Sequence, residues 1–520
     1  MKISLFAGFV LCAFFISIMS ISVEAHGFGP RYDLPVPLYL YLSGAGFAVA
    51  LSFVVMAMVV KAGHHIFAYP VLQLLSINKP NGLLVCTGVW ALRGLSLSLF
   101  ILTLVAGAFG DQEPVRNLAP TMVWIIFWVG LGIAVPLVGN IWEVINPWKI
   151  IFDLFDRITQ KIAGIQLSLG IPYRKRYALV PGLIFLILFG WVENVYTDSA
   201  VPRHIALFGT SYAVSMLIGM VLFGKRTWLE NGDVFTILFN RFAGFGLLEL
   251  RNDDYDVCIQ CELGCKRENL LCIDCYACAD LSNKIRLVAR PWAVGLVRMG
   301  NHSNVGKIFV IVVLAIVSFD GFSETPVWAS IINTSLPWMA TTFPTFNDVY
   351  FLLMVISSIG LIATVLIFLG AYQLTMNLMS SATRGGASRD ELARGLIITL
   401  LPIAIAYHLA HYLSLFAVQG QLLIPLLSDP LGQGMNLFGT ADYTVNIGVI
   451  SSKFLWYFSV VVIVIGHVIA VYLAHVLSIN IVHNRAQALK SQYPLIVLMI
   501  GYTVVSLWII AQPITEVRIA

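Results

Sequence analysis

Residues 396–418 read LIITLLPIAIAYHLAHYLSLFAV, a run with no Asp, Glu, Lys or Arg that is long enough to cross a bilayer as a helix. Two histidines, His408 and His411, stand inside it. An ionisable or chelating side chain at such a depth is costly and usually has a job. Their three-residue spacing puts both imidazoles on one helical face, about 60° apart around the axis and about 4.5 Å apart along it. That arrangement can hold a metal ion.

Similar apolar runs recur at 38–60, 83–109, 121–141, 178–191, 205–223, 308–322, 350–372, 454–477 and 495–510. With 59% hydrophobic and 11% charged residues in a chain of 520, a water-soluble globule with a polar surface is excluded. The expected fold is all-α: a polytopic transmembrane helical bundle of about ten spans after a signal peptide, with a small cytoplasmic Cys-rich module. A net charge of +4 gives no sign of a nucleic-acid partner, and the lipid bilayer is the evident one.

At the start, Lys2, the apolar stretch 3–21 and the small residues before His26 fit a signal peptide over 1–25, cleaved after Ala25. An uncleaved anchor is the other reading, and both place His26 outside. The spans then alternate. Leaving out Lys2, five of the remaining thirty Lys and Arg residues (Arg31, Arg116, Arg203, Lys453 and Arg518) fall outside and the rest inside. This is the bias expected of retained loops. The reading is a multi-pass protein of a bacterial inner membrane, with the mature N-terminus and the C-terminus both outside.

Three regions follow the signal peptide: a first bundle of five spans at 26–224, a cytoplasmic Cys-rich metal-binding loop at 225–307, and a second bundle of five spans at 308–520. Within the first bundle, 146–177 interleaves apolar residues with Lys149, Asp153, Asp156, Arg157 and Lys161. It reads as an amphipathic helix on the inner membrane surface.

The loop holds Cys258, Cys261, Cys265, Cys272, Cys275 and Cys278 in the stretch CIQCELGCKRENLLCIDCYAC. A reducing cytoplasm argues for metal rather than disulfides. Cys258-x2-Cys261 with Cys275-x2-Cys278 has the paired form of a four-thiolate zinc site. Cys272-x2-Cys275-x2-Cys278 matches the first three ligands of a ferredoxin run, with one of Cys258, Cys261 or Cys265 completing a 4Fe-4S cluster. Zinc and 4Fe-4S both stay open, and the second would imply an electron-transfer partner.

Ionisable groups gather in the outer half of the bundle. Beside His408 and His411 stand Asp320 and Glu324, four residues apart in SFDGFSETPVW, and Glu193 after the fourth span. His467 falls near the middle of the ninth span, with His475 about 12 Å further inward. His408, His411, His467 and Asp320, with His26 as a copper-chelating terminus, form a candidate metal set. Histidine with carboxylate suits zinc, iron or manganese, and an open position would activate a water for hydrolysis. Asp320 or Glu324 could be ligand or general base. The plainer reading is that each histidine hydrogen-bonds a neighbouring helix. A redox protein, with His408 or His411 and His467 holding haem, is a second class. A transporter or metal-handling channel lined by His and Asp is a third.

The segments HGFGPRYDLPVPLYLYL (26–42), FDGFSETPVW (319–328), LPIAIAYHLAHYLSLFAVQGQ (401–421), SDPLGQGMNLFGTADY (428–443), GHVIAVYLAH (466–475) and YPLIVLMIGYTVVSLWII (493–510) together resemble membrane proteins named as fenitrothion hydrolases. The resemblance implies cleavage of the phosphorus to aryl-oxygen bond of an apolar organophosphorus triester, giving a nitrophenol and a dialkyl thiophosphate. It supplies no assigned catalytic residues, and the cysteine segment is not part of it.

Overall fold

A backbone in hydrocarbon must satisfy its own hydrogen bonds, so each charge-free run folds as helix. The computed structural model describes residues 37–59, 69–78, 82–259, 272–282, 284–299, 303–345, 348–482 and 484–512. Among them are ten helices long and apolar enough to cross a membrane, and the protein is an all-α, multi-pass helical membrane protein. The signal segment and His26 lie outside the described residues.

The helices used below are α1 (Leu38–Val59), α2 (Gly82–Phe109), α3 (Leu118–Leu137), α4 (Pro147–Ala163), α5 (Val180–Asn194), α6 (Pro202–Phe223), α7 (Val234–Ala243), α8 (Asn304–Ser323), α9 (Pro326–Thr342), α10 (Val349–Ala382), α11 (Leu401–Gln419), α12 (Ser452–Ile481) and α13 (Tyr493–Ala511). Two of them form the centre. α8 is apolar all round, and its residues from Phe309 to Phe319 are all buried, as expected of a helix enclosed by others. α11 buries Leu401 to His408 without a break. Its small residues let α12 close in: Gly466 sits against Ala406 and the Pro402 carbonyl, where any side chain would collide. The eighth span starts with a 3-10 turn at Ile397–Leu400 instead of regular helix. Pro402 has no N–H to give to Ile398, which favours the tighter turn there.

Three features depart from the sequence reading. In α3, residues Thr121–Gly130 form a π-helix, a geometry that recurs at functional sites. The segment read as a soluble loop contributes α7, whose Val234, Phe235, Ile237, Leu238, Phe239 and Phe242 join the main core with Trp128, Trp148 and Phe309. A small antiparallel sheet was not foreseen at all. It runs β1 (Leu72–Asn78), β4 (Lys284–Ala289), β2 (Leu248–Asn252), β3 (Cys272–Ile273) in spatial order, so the loop after the first span pairs with the Cys-rich module.

Asp233 ties α7 to its surroundings. Its buried carboxylate accepts from Asn146 Nδ2 (3.1 Å), Trp148 Nε1 (2.9 Å), Tyr212 OH (2.7 Å) and Thr236 Oγ1 (2.6 Å). The amphipathic segment forms an α-helix only over Pro147–Ala163: Asn146 caps its start, and Gly164, at φ 71°, ends it. Leu154, Phe155, Ile158 and Ile162 are left exposed on it, consistent with a face turned to lipid.

Candidate functional site

At one end of the bundle, α5, α8 and α11 bring their ionisable side chains together. His411 Nε2 lies 2.9 Å from Asp320 Oδ2. The Tyr412 hydroxyl donates to the same oxygen at 2.7 Å and also reaches Glu193 Oε1 at 3.3 Å. The His411 and Asp320 side chains keep 13% and 20% of their surface exposed. Tyr407, one turn before His411, stacks on its ring at 5.7 Å, with its hydroxyl pressed against Gly321. α8 ends at Ser323, and Glu324 takes the C-cap position one turn beyond Asp320. Thr325 then caps α9 by accepting from Trp328 N, so the chain turns sharply at the edge of this site.

His408 goes elsewhere. It is buried, edge-on to Trp128 at 5.7 Å and to Tyr412 at 4.7 Å. Its Nε2 faces Gly132 and, among the described residues, has no hydrogen-bond partner. A methyl group at position 132 would fall on that nitrogen, so the glycine makes room for the ring. A cavity of about 20 Å³ opens here, lined by His408, Trp128, Gly132, Phe189, Phe242 and Ala404 among others. That is room for about one water molecule.

His467 stands apart again. Its Nδ1–H donates to the Ile463 carbonyl at 2.8 Å, and its ring lies beside Tyr502 at 5.9 Å. His475 bonds Gln492 Oε1 through Nδ1 at 2.9 Å. The structure therefore joins His411 to Asp320, keeps Glu324 nearby, and directs His408 and His467 into other surroundings.

The expected His/carboxylate metal set can be tested on this geometry. Among the described residues, no group of three or more His, Cys, Asp or Glu side chains is disposed to hold a metal ion. His411 Nε2 is engaged by Asp320, and the His408 ring turns toward α3. The donor set as folded does not fit a divalent metal. Sequence reading missed Tyr412, which bridges the two carboxylates, and the pair Trp128 and Gly132 that seats His408. Tyr412 could have been found, since it adjoins His411 and its hydroxyl needs a partner when buried.

In the module, Cys258, Cys272, Cys275 and Cys278 are buried and pack into one cluster. The Cys272 N–H donates to Cys258 Sγ at 3.2 Å, and Asn252 Nδ2 donates to the Cys278 carbonyl at 3.2 Å. Cys261 and Cys265 lie outside the described residues. Beside the cluster, the fully buried Glu249 accepts from Arg251 Nε (2.6 Å), Arg290 Nη1 (2.8 Å), Arg298 Nη1 (3.1 Å) and the Tyr69 hydroxyl. Arg290 Nη1 also reaches Asp274, between Cys272 and Cys275, at 2.8 Å. Burial pushes the Glu249 carboxyl up, but Tyr69, Arg251, Arg298 and Arg290 together outweigh it and hold it below its ordinary value. Burial and the Glu249 carboxylate push Tyr69 up to about 12.

Fold and site define a multi-pass helical membrane protein with a half-buried His/carboxylate cluster. Comparison with protein families, with curated proteins and with solved structures finds no match for this chain.

Proposed function

We propose that this protein is a membrane-embedded hydrolase that cleaves the P–O–aryl bond of apolar organophosphorus triesters at the Asp320–His411 pair. The observation that carries the reading is the 2.9 Å contact between His411 Nε2 and Asp320 Oδ2 inside the bundle. A carboxylate on one imidazole nitrogen selects the tautomer: Nε2 carries the proton and Nδ1 is left to accept one. A water at Nδ1 gives up its proton as its oxygen bonds to phosphorus. The P–O–aryl bond breaks, its electron pair leaves with the aryl oxygen, and the imidazolium can return the proton to it. Asp320 stabilises the imidazolium, and Tyr412 steadies Asp320 from its other side. General-base catalysis of this kind is worth about 10²- to 10⁴-fold.

The substrate class rests on the resemblance to fenitrothion hydrolases. An apolar triester partitions into lipid, which suits a site among helices. The metal-activated water expected from the sequence is not needed, since His411 and Asp320 supply the base. For the cysteine segment we propose a soft-metal role, zinc or 4Fe-4S, supported by the spacing of its six cysteines; the four described thiols pack together but do not by themselves form a metal-holding group. We place the protein in a bacterial inner membrane with the His/carboxylate end outside, as the Lys and Arg distribution indicates.

The test is nitrophenolate release from fenitrothion by membranes carrying wild type, His411→Ala or Asp320→Asn at equal protein level. Release should fall about a hundredfold or more in both variants. Undiminished release would move the site elsewhere, and no release from wild type would refute the hydrolase.

One observation favours a second reading, a proton-coupled transporter. Ser318 Oγ and Tyr502 OH lie 2.6 Å apart, and the Tyr502 ring lies 5.9 Å from that of His467 in the bundle interior. Uptake of an intact solute coupled to proton movement, without chemical change, would mark that class.

A further inference from the structure

At the end of the bundle where α6 runs into the module, two arginines converge on one tryptophan. Trp90 and Arg93 lie on α2, and Arg157 lies on α4. The Arg157 guanidinium carbon sits 4.8 Å from the Trp90 ring centre and that of Arg93 sits 5.3 Å from it. The two positive charges are thus within about 10 Å of each other, close enough to repel across a membrane interface. Trp90 is 48% exposed, so the arrangement faces outward from the bundle.

Two other cations on or beside α4 are neutralised, whereas these two are not. Lys149 pairs with Glu143 and Lys225 with Asp153, both at 2.6 Å. Arg157 has two acids in its own sequence neighbourhood, and both are taken. Asp153 is held by Lys225, while Asp156 accepts from Leu167 N and Gln160 Nε2. Among the described residues, neither Arg93 nor Arg157 has a carboxylate partner. Around them the surface is apolar: Leu92, Leu95, Phe155 and Ile158 are all exposed.

We propose that Arg93 and Arg157 clamp the phosphate of a phospholipid with a net negative headgroup, whose acyl chains lie along α2 and the apolar face of α4. A guanidinium fork matches phosphate oxygens in a way no single ammonium does. Two unneutralised charges select a net anionic headgroup over a zwitterionic one. An indole at the membrane interface suits the glycerol level between headgroup and chains. The exposed leucines, Phe155 and Ile158 account for a ligand with chains, which free phosphate would leave uncovered. This site is independent of the hydrolase reading.

Native mass spectrometry of the purified, detergent-solubilised protein tests it by titration with phosphatidylglycerol, phosphatidylcholine or inorganic phosphate. Wild type should prefer phosphatidylglycerol over phosphatidylcholine by about thirtyfold, the ratio expected for two charges acting together. Arg93→Gln/Arg157→Gln should lose that preference, whereas Arg384→Gln/Arg389→Gln, the same loss of two charges at exposed positions, should keep it. Arg157→Lys, an exposed and conservative change, keeps the charge without the fork and should weaken binding severalfold, which guards against misfolding of the double variant. An unchanged preference in the double variant, equal binding of the two lipids by wild type, or displacement of the lipid by millimolar inorganic phosphate would each overturn the proposal.

Discussion

Glu249→Gln isolates one electrostatic knot in the module. The change keeps the size of the side chain and removes its charge, leaving Arg290, Arg298 and Arg251 around a neutral amide. Their side chains are only 1%, 9% and 19% exposed, and that of Glu249 is 0% exposed. Breaking a buried ion pair by neutralising one partner costs about 3–5 kcal/mol, because the other charge is left without compensation. Arg290 retains Asp274, which places the expected cost at the lower end, about 3 kcal/mol. Glu230→Gln is the natural comparison. Glu230 also pairs with an arginine, Arg226, but the two are 41% and 39% exposed, and such pairs are worth about 0–1 kcal/mol. The assay is hydrogen exchange at the β4 amides, whose partners on both sides are β1 and β2. About 3 kcal/mol corresponds to roughly a hundredfold loss of protection. Protection in Glu249→Gln equal to that in Glu230→Gln would refute the claim that Glu249 organises the sheet.

The same carboxylate predicts a pH dependence. Its folded value is depressed below the ordinary 4.5, so its stabilisation is complete above about that pH and is lost as pH falls through the lower folded value. Protection of the β4 amides, corrected for the intrinsic pH dependence of exchange, should therefore fall below about pH 4.5 more steeply in wild type than in Glu249→Gln, which retains only the Asp253 and Asp274 pairs; parallel profiles would contradict it. Gly132→Ala places a methyl group on the His408 ring and should cost about 1–3 kcal/mol, read as a lowered Tm in detergent. Gly44→Ala, where nothing lies within 4 Å, is the neutral control, and equal Tm values would remove the claim. Metal analysis of purified protein should find zinc, or iron with sulfide, in wild type and little in Cys258→Ser. Metal-free wild type would exclude the soft-metal role.

The sequence is a better guide to depth than to direction. Depth follows from counting residues along apolar runs, each adding about 1.5 Å. That is why the ten spans were legible and why Asp320 and His411, on different helices, could be assigned to one end of the bundle. Azimuth has no such ruler. A three-residue spacing fixes the angle between His408 and His411 on their helix, but rotamers and neighbouring helices decide where each ring points. One found the Asp320 carboxylate on α8, and the other found the space that Gly132 leaves on α3. His467 shows the same limit: it lies on α12, which packs along α11, yet its ring turns toward Tyr502 of α13.

The other omissions have local causes. Residues 72–78, LQLLSIN, lack clean polar and apolar alternation, and they become a strand because β4 offers an unpaired edge about two hundred residues later in the chain. By sequence α7 reads as part of a soluble loop because it is too short to span a membrane and follows a basic pair, Lys225 and Arg226. Its burial depends on Asp233 finding four side-chain donors, from four residues whose positions along the chain run from Asn146 to Thr236. Such a carboxylate cannot be distinguished by composition from one in a solvated loop. The same reasoning favours the Asp320–His411 pair as a place for chemistry. Its carboxylate has partners enough to remain in place, but it keeps a fifth of its surface exposed. Asp233 has no exposed surface and every sign of a purely architectural group.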